Sequence, residues 1–164
     1  MEVATFAGGC FWRMQTVFSR VPGVISTIVG FAGGYVANPT YQQVRSGQTG
    51  HAETVQVTYN PQLVTFPQLL QIFFSSHDST QVNRQGADVG PQYRSAIFYH
   101  SPSQWDIATK YINQLRMSRP YPVVTEVVPF QAFYPAEQYH QFYEARQQQQ
   151  NMVAAAAKSY YFWY

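Results

Sequence analysis

Cys10 is the only cysteine in this chain of 164 residues. No internal disulfide can form, so the fold has to be held by buried side chains rather than by covalent staples. The material for a core is present: 46% of the residues are hydrophobic and 17% aromatic, with 13 Tyr and 12 Phe, while only 11% are charged. A chain of this length can bury one sizeable core and is short for two, so one domain is expected over residues 1–164. The low charge leaves a surface rich in neutral polar groups, Gln above all. A formal net charge of +2 is too small to suggest binding to nucleic acid or to a membrane surface. The start of the chain lacks a basic stretch followed by an apolar one, and no apolar run approaches the roughly 20 residues that span a bilayer. A cytoplasmic protein is expected, and a monomer, since no oligomer interface is evident.

The pattern of apolar residues alternates between the two regular periods. Val3 to Phe6 reads as a short strand ending in the Gly8-Gly9 turn. Phe11, Met14 and Phe18, with Val17 and Val21, recur at helical spacing until Pro22-Gly23 stops them. Val24 to Phe31 is a β-branched strand, followed by an irregular loop marked by Gly33, Gly34, Asn38 and Pro39 that carries Tyr35 and Tyr41. From His51 to Tyr59 the period is two, with Glu53, Val55, Val57 and Tyr59 on one face. Thr65 and Gln68 form a capping box before a helix striped by Phe66, Leu69, Leu70, Phe73 and Phe74. Residues 77–91 read as a long polar loop, of the kind that often carries function. Gln92 to Tyr99 returns to strand, and Ser101-Pro102 opens a helix with Trp105, Ala108, Ile112 and Leu115 on one side. Val123 to Val128 is read as the last strand, and Pro135 as the start of a fourth helix carrying Tyr139, Phe142 and Tyr143. Residues 147–164 form a compositionally biased tail with four-Gln and four-Ala runs and an aromatic end, Tyr160 to Tyr164, that could pack on the body or on another chain. The strand at His51 follows its predecessor through a segment read as too short for a helical crossover. A mixed or antiparallel sheet in an α+β sandwich is therefore expected.

Two residues stand out chemically. Cys10 follows a glycine pair at the start of a predicted helix, where unpaired amides and the helix dipole favour a thiolate, and Arg13 one turn on adds positive charge. Glu53 has the parity of the inward face, and a carboxyl withdrawn from water holds its proton near neutral pH. A protonated acid beside a thiolate suits electron transfer from sulfur to an acceptor whose oxygen must be removed. The four histidines, His51, His77, His100 and His140, lack the short spacings of a zinc site, so no metal is expected. His77-Asp78 suggests local hydrogen bonding rather than a hydrolase triad. No phosphate-cradling glycine loop is present.

Four collinear motifs give the sequence a family resemblance: Gly8-Gly9-Cys10-Phe11-Trp12; Gly33-Gly34-Tyr35 with Asn38-Pro39-Thr40-Tyr41; Gly50-His51-Ala52-Glu53; and Asp88 followed by Gln92-Tyr93-Arg94-Ser95. In order and spacing they resemble the A-type peptide methionine sulfoxide reductases, from about Phe6 to Tyr143. The resemblance implies a ferredoxin-like fold and reduction of the S epimer of methionine sulfoxide, in peptides or proteins and possibly as the free amino acid. It also implies roles. Cys10 attacks the sulfoxide sulfur, Glu53 protonates the oxygen, and Tyr41 and Tyr93 hydrogen-bond that oxygen. Phe11 and Trp12 wall the substrate methyl, and Asp88 orders the site. Cys10 is left as a sulfenic acid, which a thiol must reduce. Many relatives carry resolving cysteines in the C-terminal tail. With none here, no bound cofactor is expected and the reductant is external: thioredoxin, glutaredoxin with glutathione, or a small thiol such as dithiothreitol.

The chain departs from the family pattern at Arg13 and Gln15, where Gly and a carboxylate are usual. That exchange of charge is expected to lower the Cys10 pKa further and to alter how the pocket wall is held. Two other functions use a lone cysteine. A single-cysteine peroxidase normally has Pro and Thr before the thiol, where this chain has Gly-Gly. A non-catalytic module would bind methionine or its sulfoxide in the aromatic pocket without turnover.

Overall fold

A computed structural model describes the backbone of residues 1–162 and the side chains of residues 1–158. The tail aromatics named above, Tyr160 to Tyr164, have side chains outside the described residues.

The first half of the chain forms β1 (Glu2–Gly8), α1 (Phe11–Ser19), β2 (Val24–Ala32), α2 (Tyr41–Arg45), β3 (Ala52–Tyr59) and α3 (Phe66–Ser76). The second half forms β4 (Arg84–Gln85), β5 (Asp88–Val89), β6 (Ser95–Tyr99), α4 (Pro102–Ser118), β7 (Glu126–Pro129), β8 (Phe133–Pro135) and α5 (Tyr143–Phe162). Six strands make one sheet in the order β7-β6-β1-β3-β2-β8. Its centre, β6-β1-β3-β2, is antiparallel throughout and is built from a β-α-β-β-α-β succession, the ferredoxin-like arrangement. β7 adds in parallel to β6, which makes the sheet mixed. β4 and β5 form a separate two-residue hairpin.

Aromatic burial does the work that disulfides cannot. Phe6, on β1, stacks on Phe18 of α1 at 5.0 Å and on Phe73 of α3 at 4.9 Å, so both helices are fixed to the same central strand. Val55, Val57 and Tyr59 of β3 lie in this core, as the alternation predicts. The opposite face of the sheet is thinner, a small cluster of Ala7, Ala32, Ala52, Ala96 and Phe98 covered by Val128, Phe130 and Phe133. Helix α3 starts at the predicted capping box, with Thr65 and Gln68 each accepting the other's backbone N–H.

Several expectations are corrected. The segment between β2 and β3 contains α2, begun by its own capping box of Thr40 and Gln43. The antiparallel pairing of β2 with β3 therefore does not follow from a shortage of chain. It follows from burial: in this register Phe31 lies opposite Glu53 and Val29 opposite Val55, with all four side chains inward. The loop at 77–91 holds the β4–β5 hairpin, and β6 begins at Ser95 after a single 3-10 turn at Pro91–Tyr93. Trp105 on α4 is 47% exposed, because the inward stripe is Gln104, Ala108 and Ile112. Gln104 earns its place by donating to the Val3 carbonyl and accepting from the His100 N–H. The last strand is not the one at 123–128. β7 begins at Glu126, and a further strand, β8, follows it. No helix begins at Pro135, which ends β8, and a 3-10 turn follows at Gln138–His140. Phe142, with φ of +53°, then interrupts any continuous helix before α5. Residues 147–162 of the biased tail are helical, as strong helix formers such as Ala and Gln allow.

β8 sits hard against Gly30: a Cβ at that position would collide with the Tyr134 carbonyl oxygen and lie 2.7 Å from the Phe133 ring. Gly30→Ala is expected to push β8 off β2 and to cost roughly 1–3 kcal/mol, read as a lower urea midpoint. An unchanged midpoint would show that β8 gives way freely.

Candidate active site

The end of β1, the start of β3 and the first turn of α1 come together at Cys10. β1 ends at Gly8, and Gly9 turns the chain with φ of +93°, a conformation that favours glycine. Cys10 is the N-cap of α1 and is partly buried. The N–H groups of Trp12 and Arg13 point at its sulfur, as expected for the open end of a helix. The expected fall in thiol pKa is nonetheless overturned: the thiol is pushed up to about 11. Burial contributes most, followed by the Glu53 carboxyl, and Asp88 adds a smaller push in the same direction. The two amides oppose this without outweighing it. Arg13 is solvent-exposed, so water and salt screen its guanidinium.

Glu53 enters from β3 and is 2% exposed. Its Oε1 accepts the Phe11 N–H at 3.1 Å, a bond between the middle of the sheet and the first residue of α1. Burial pushes the carboxyl up to about 8, against the effect of that hydrogen bond, and the Asp88 charge adds to the rise. At neutral pH Glu53 therefore holds its proton, as its strand parity predicts. A neutral Glu53 also removes the charge that most opposes a Cys10 thiolate.

Tyr41, on α2, and Tyr93, at the end of the 3-10 turn, join the site from two further elements. Burial and the charge of Glu53 raise the pKa of both, that of Tyr93 to about 12. Each also senses Cys10, which places the thiol, the acid and both phenols in one electrostatic neighbourhood. The hydroxyls of Tyr35, Tyr59 and Tyr139 donate to protein acceptors, whereas those of Tyr41 and Tyr93 have no such partner among the described residues. Asp88 stands on the exposed β4–β5 hairpin within charge range of Cys10, Glu53 and Tyr93.

Phe11 is buried in the core, 5.7 Å from Phe31, and Trp12 is the more open of the two expected wall residues. Trp12 stacks on Tyr143 at 4.0 Å and donates its indole N–H to His140 Nδ1 at 3.0 Å. His140 is 2% exposed and lies 4.2 Å from the Tyr41 ring, so it joins the tryptophan wall to the tyrosine. An acceptor at Nδ1 requires the neutral ring, and burial lowers the His140 pKa to that end. Glu137 accepts the Tyr41 N–H at 3.2 Å. Neither His140 nor Glu137 is picked out by the sequence reading, because both reach the site across roughly a hundred residues of chain with no local motif to mark them.

Gln15 clarifies one departure from the family pattern. It is 1% exposed, donates to the Thr27 carbonyl and hydroxyl, and accepts the Phe142 N–H at 2.7 Å. A carboxylate in its place could not donate to Thr27, so the amide suits a tie between α1, β2 and the C-terminal segment. His51 and His77 are both engaged by local backbone groups, and Asp78 accepts from Thr80. Among the described residues no cluster of three or more His, Cys, Asp or Glu side chains could hold a metal, and no helix is long and apolar enough to cross a membrane.

Residues 2–161 match the family model for peptide methionine sulfoxide reductase. The peptide methionine sulfoxide reductase MsrA of Sulfolobus acidocaldarius is 54% identical over 145 residues, covering 88% of this chain and 82% of that protein. Among solved structures, methionine sulfoxide reductase A of Corynebacterium diphtheriae superposes with a TM-score of 0.81 at 38% identity, over 88% of this chain and 74% of that one. Mxr1 from Saccharomyces cerevisiae in its reduced form gives 0.86 at 33% identity, over 90% and 86%. The likeness extends over nearly the whole length and includes the strands and helix that bring Cys10 and Glu53 together, and on that ground the chain belongs to the peptide methionine sulfoxide reductase family.

Proposed function

We propose that this protein reduces the S epimer of methionine sulfoxide in peptides and proteins, with Cys10 as nucleophile and Glu53 as acid. The observation that carries this reading is a buried carboxyl, bonded to the first amide of α1, in the neighbourhood of the only thiol, where burial favours its protonated form. A sulfoxide oxygen leaves sulfur poorly until it is hydrogen-bonded and protonated, and the site offers a proton from Glu53 and two uncommitted phenols, Tyr41 and Tyr93. Phe11 and Trp12 supply the apolar wall against the substrate methyl, and Asp88 holds the outer side of the site. Cys10 attacks the sulfoxide sulfur while its own proton and that of Glu53 serve the oxygen. A bond forms between the two sulfurs as the S–O bond breaks and the doubly protonated oxygen leaves as water. That water then adds to the Cys10 sulfur and breaks the sulfur–sulfur bond, leaving Cys10 as a sulfenic acid and releasing methionine with its sulfur reduced by two electrons. The spare proton returns to Glu53.

Recycling then needs two external thiols. The first condenses with the sulfenic acid to a mixed disulfide and releases water, and the second displaces Cys10 and leaves as a disulfide. With one cysteine in the chain, thioredoxin, glutaredoxin with glutathione, or dithiothreitol each satisfies this requirement without any bound cofactor. The chain acts as one domain over residues 1–164, as a cytoplasmic monomer.

Turnover of a methionine-S-sulfoxide peptide with dithiothreitol is expected, with the R epimer untouched and Cys10→Ser inactive. No turnover by the intact protein would sink the assignment. Glu53→Gln removes the proton donor and is expected to slow methionine release by about 10²–10⁴-fold at pH 7.

The same group sets a stability trend. The folded carboxyl titrates near 8 and the unfolded one near its ordinary value of 4.5. Between those pH values the unfolded chain has released a proton that the folded chain keeps, so rising pH favours unfolding. Wild-type stability is expected to fall over that window, and Glu53→Gln to remove the slope in urea titrations at stepped pH. A variant with the wild-type slope would show that Glu53 is not its source.

A further inference from the structure

One side chain outside this reaction scheme joins the turn before Cys10 to the hairpin that faces it. A Cβ on Gly9 would lie 2.7 Å from Cγ and 2.8 Å from Cβ of Gln85, so the stem of Gln85 rests on the Gly9 backbone. Both ends of the Gln85 amide are engaged: Oε1 accepts the Asp78 N–H at 2.9 Å, and Nε2 donates to the Asp78 carbonyl at 2.9 Å. This amide closes residues 78–85 much as an antiparallel strand pair would. The backbone of Gln85 pairs with Asp88 across the hairpin. Gly90 donates to Asn83, and Tyr93 in turn donates to Gly90, so Asp88 and Tyr93 are linked to the same piece of chain. The root of the hairpin is anchored by His77, which bonds the Phe73 carbonyl through Nδ1 and Ser95 Oγ through Nε2. Ser95 itself lies opposite Gly8 in the pairing of β1 with β6.

We infer that Gln85 is a positioning residue for sulfoxide reduction, bracing the β4–β5 hairpin on the Gly9 turn and so setting how close Asp88 and Tyr93 stand to Cys10 and Glu53. The inference rests on the assignment of Cys10 and Glu53 above. Glu53 of β3, Asp88 of β5 and the phenols of Tyr41 and Tyr93 face Cys10 from other elements, and its own helix contributes the amides of Trp12 and Arg13 and the exposed Arg13 guanidinium. Of the two carboxyls, Asp88 has the less rigid support, since its hairpin is a ladder of two residue pairs and largely exposed. The Asp88 charge opposes a thiolate at Cys10. If the brace is released, Asp88 can retreat and the thiol should ionise more readily.

The test compares Gln85→Ala, which removes stem and amide, with Gln85→Met, which keeps the stem and loses the amide bridge. Cys10 alkylation by iodoacetamide is followed against pH, and kcat and KM are measured on a methionine-S-sulfoxide peptide. Both variants are repeated in an Asp88→Asn background. Gln85→Ala is expected to lower the alkylation midpoint by roughly 0.3–0.5 pH and kcat on the order of tenfold, with KM changing less and Gln85→Met falling between. In the Asp88→Asn background the midpoint should no longer respond to Gln85. The inference is overturned if the midpoint does not move, or if it moves equally without Asp88. Alkylation needs no sulfoxide turnover, so an inactive wild-type protein would count against the reductase assignment while the midpoints still judged the brace.

Discussion

The hydrogen bond from the Phe11 N–H to Glu53 Oε1 is the contact on which the rest of the site depends. The first turn of any α-helix leaves four amides without partners inside the helix. Here the one on Phe11 goes to a carboxyl on the central strand, and those on Trp12 and Arg13 are turned toward the Cys10 sulfur without capping it. One helix end thus serves two groups, the acid and the thiol, and fixes them relative to each other. Its donors do not suffice to ionise either group, because both are buried and burial is the larger effect for each.

The aromatic core makes that arrangement rigid. Phe6 holds α1 and α3 against β1, the strand that delivers Gly8, Gly9 and Cys10. Burial of Glu53 requires β3 to lie between β1 and β2, and that central place is the most enclosed in the sheet. The C-terminal segment then closes the remaining side. Gln15 binds Phe142, Gln141 binds Val29 through both its amide groups, and His140 receives the Trp12 indole N–H. The pocket wall is therefore held from residues far along the chain, through neutral hydrogen bonds rather than ion pairs. This accords with a sequence so poor in charge.

The sequence made legible most of the core and the placement of the two groups proposed to react, for reasons tied to individual residues. Period-two alternation put Glu53 inward because its neighbours Val55 and Val57 had to be inward. Thr65 and Gln68 marked the start of α3 through a reciprocal bond that depends on three-residue spacing alone. The same signal was available at Thr40 and Gln43 and would have revealed α2. Trp105 was misplaced because size suggests burial, whereas Gln104 can be buried once both ends of its amide are bonded. The state of Cys10 was not legible. Helix position predicted a lowered pKa, but the cost of removing the sulfur from water depends on tertiary packing, which no local pattern reports. His140 and Glu137 were hidden for the same reason.

The order in which the two central groups lose protons bears on how the proposed reaction is timed. Glu53 titrates near 8 and Cys10 near 11, so at neutral pH the resting site holds both protons. A thiolate is cheapest to form while Glu53 is neutral, since the Glu53 charge is the largest electrostatic opposition to it. A sulfoxide brings a strong S–O dipole with its positive end on sulfur. With the oxygen toward Glu53, Tyr41 and Tyr93, that positive end faces Cys10 and supplies the stabilisation that the helix amides leave incomplete. In the proposed scheme the nucleophile is thus unmasked by the substrate it attacks. For a protein with no second cysteine, a thiol that stays protonated in the empty site also resists oxidation between turnovers, because the thiolate is the form that oxidants attack.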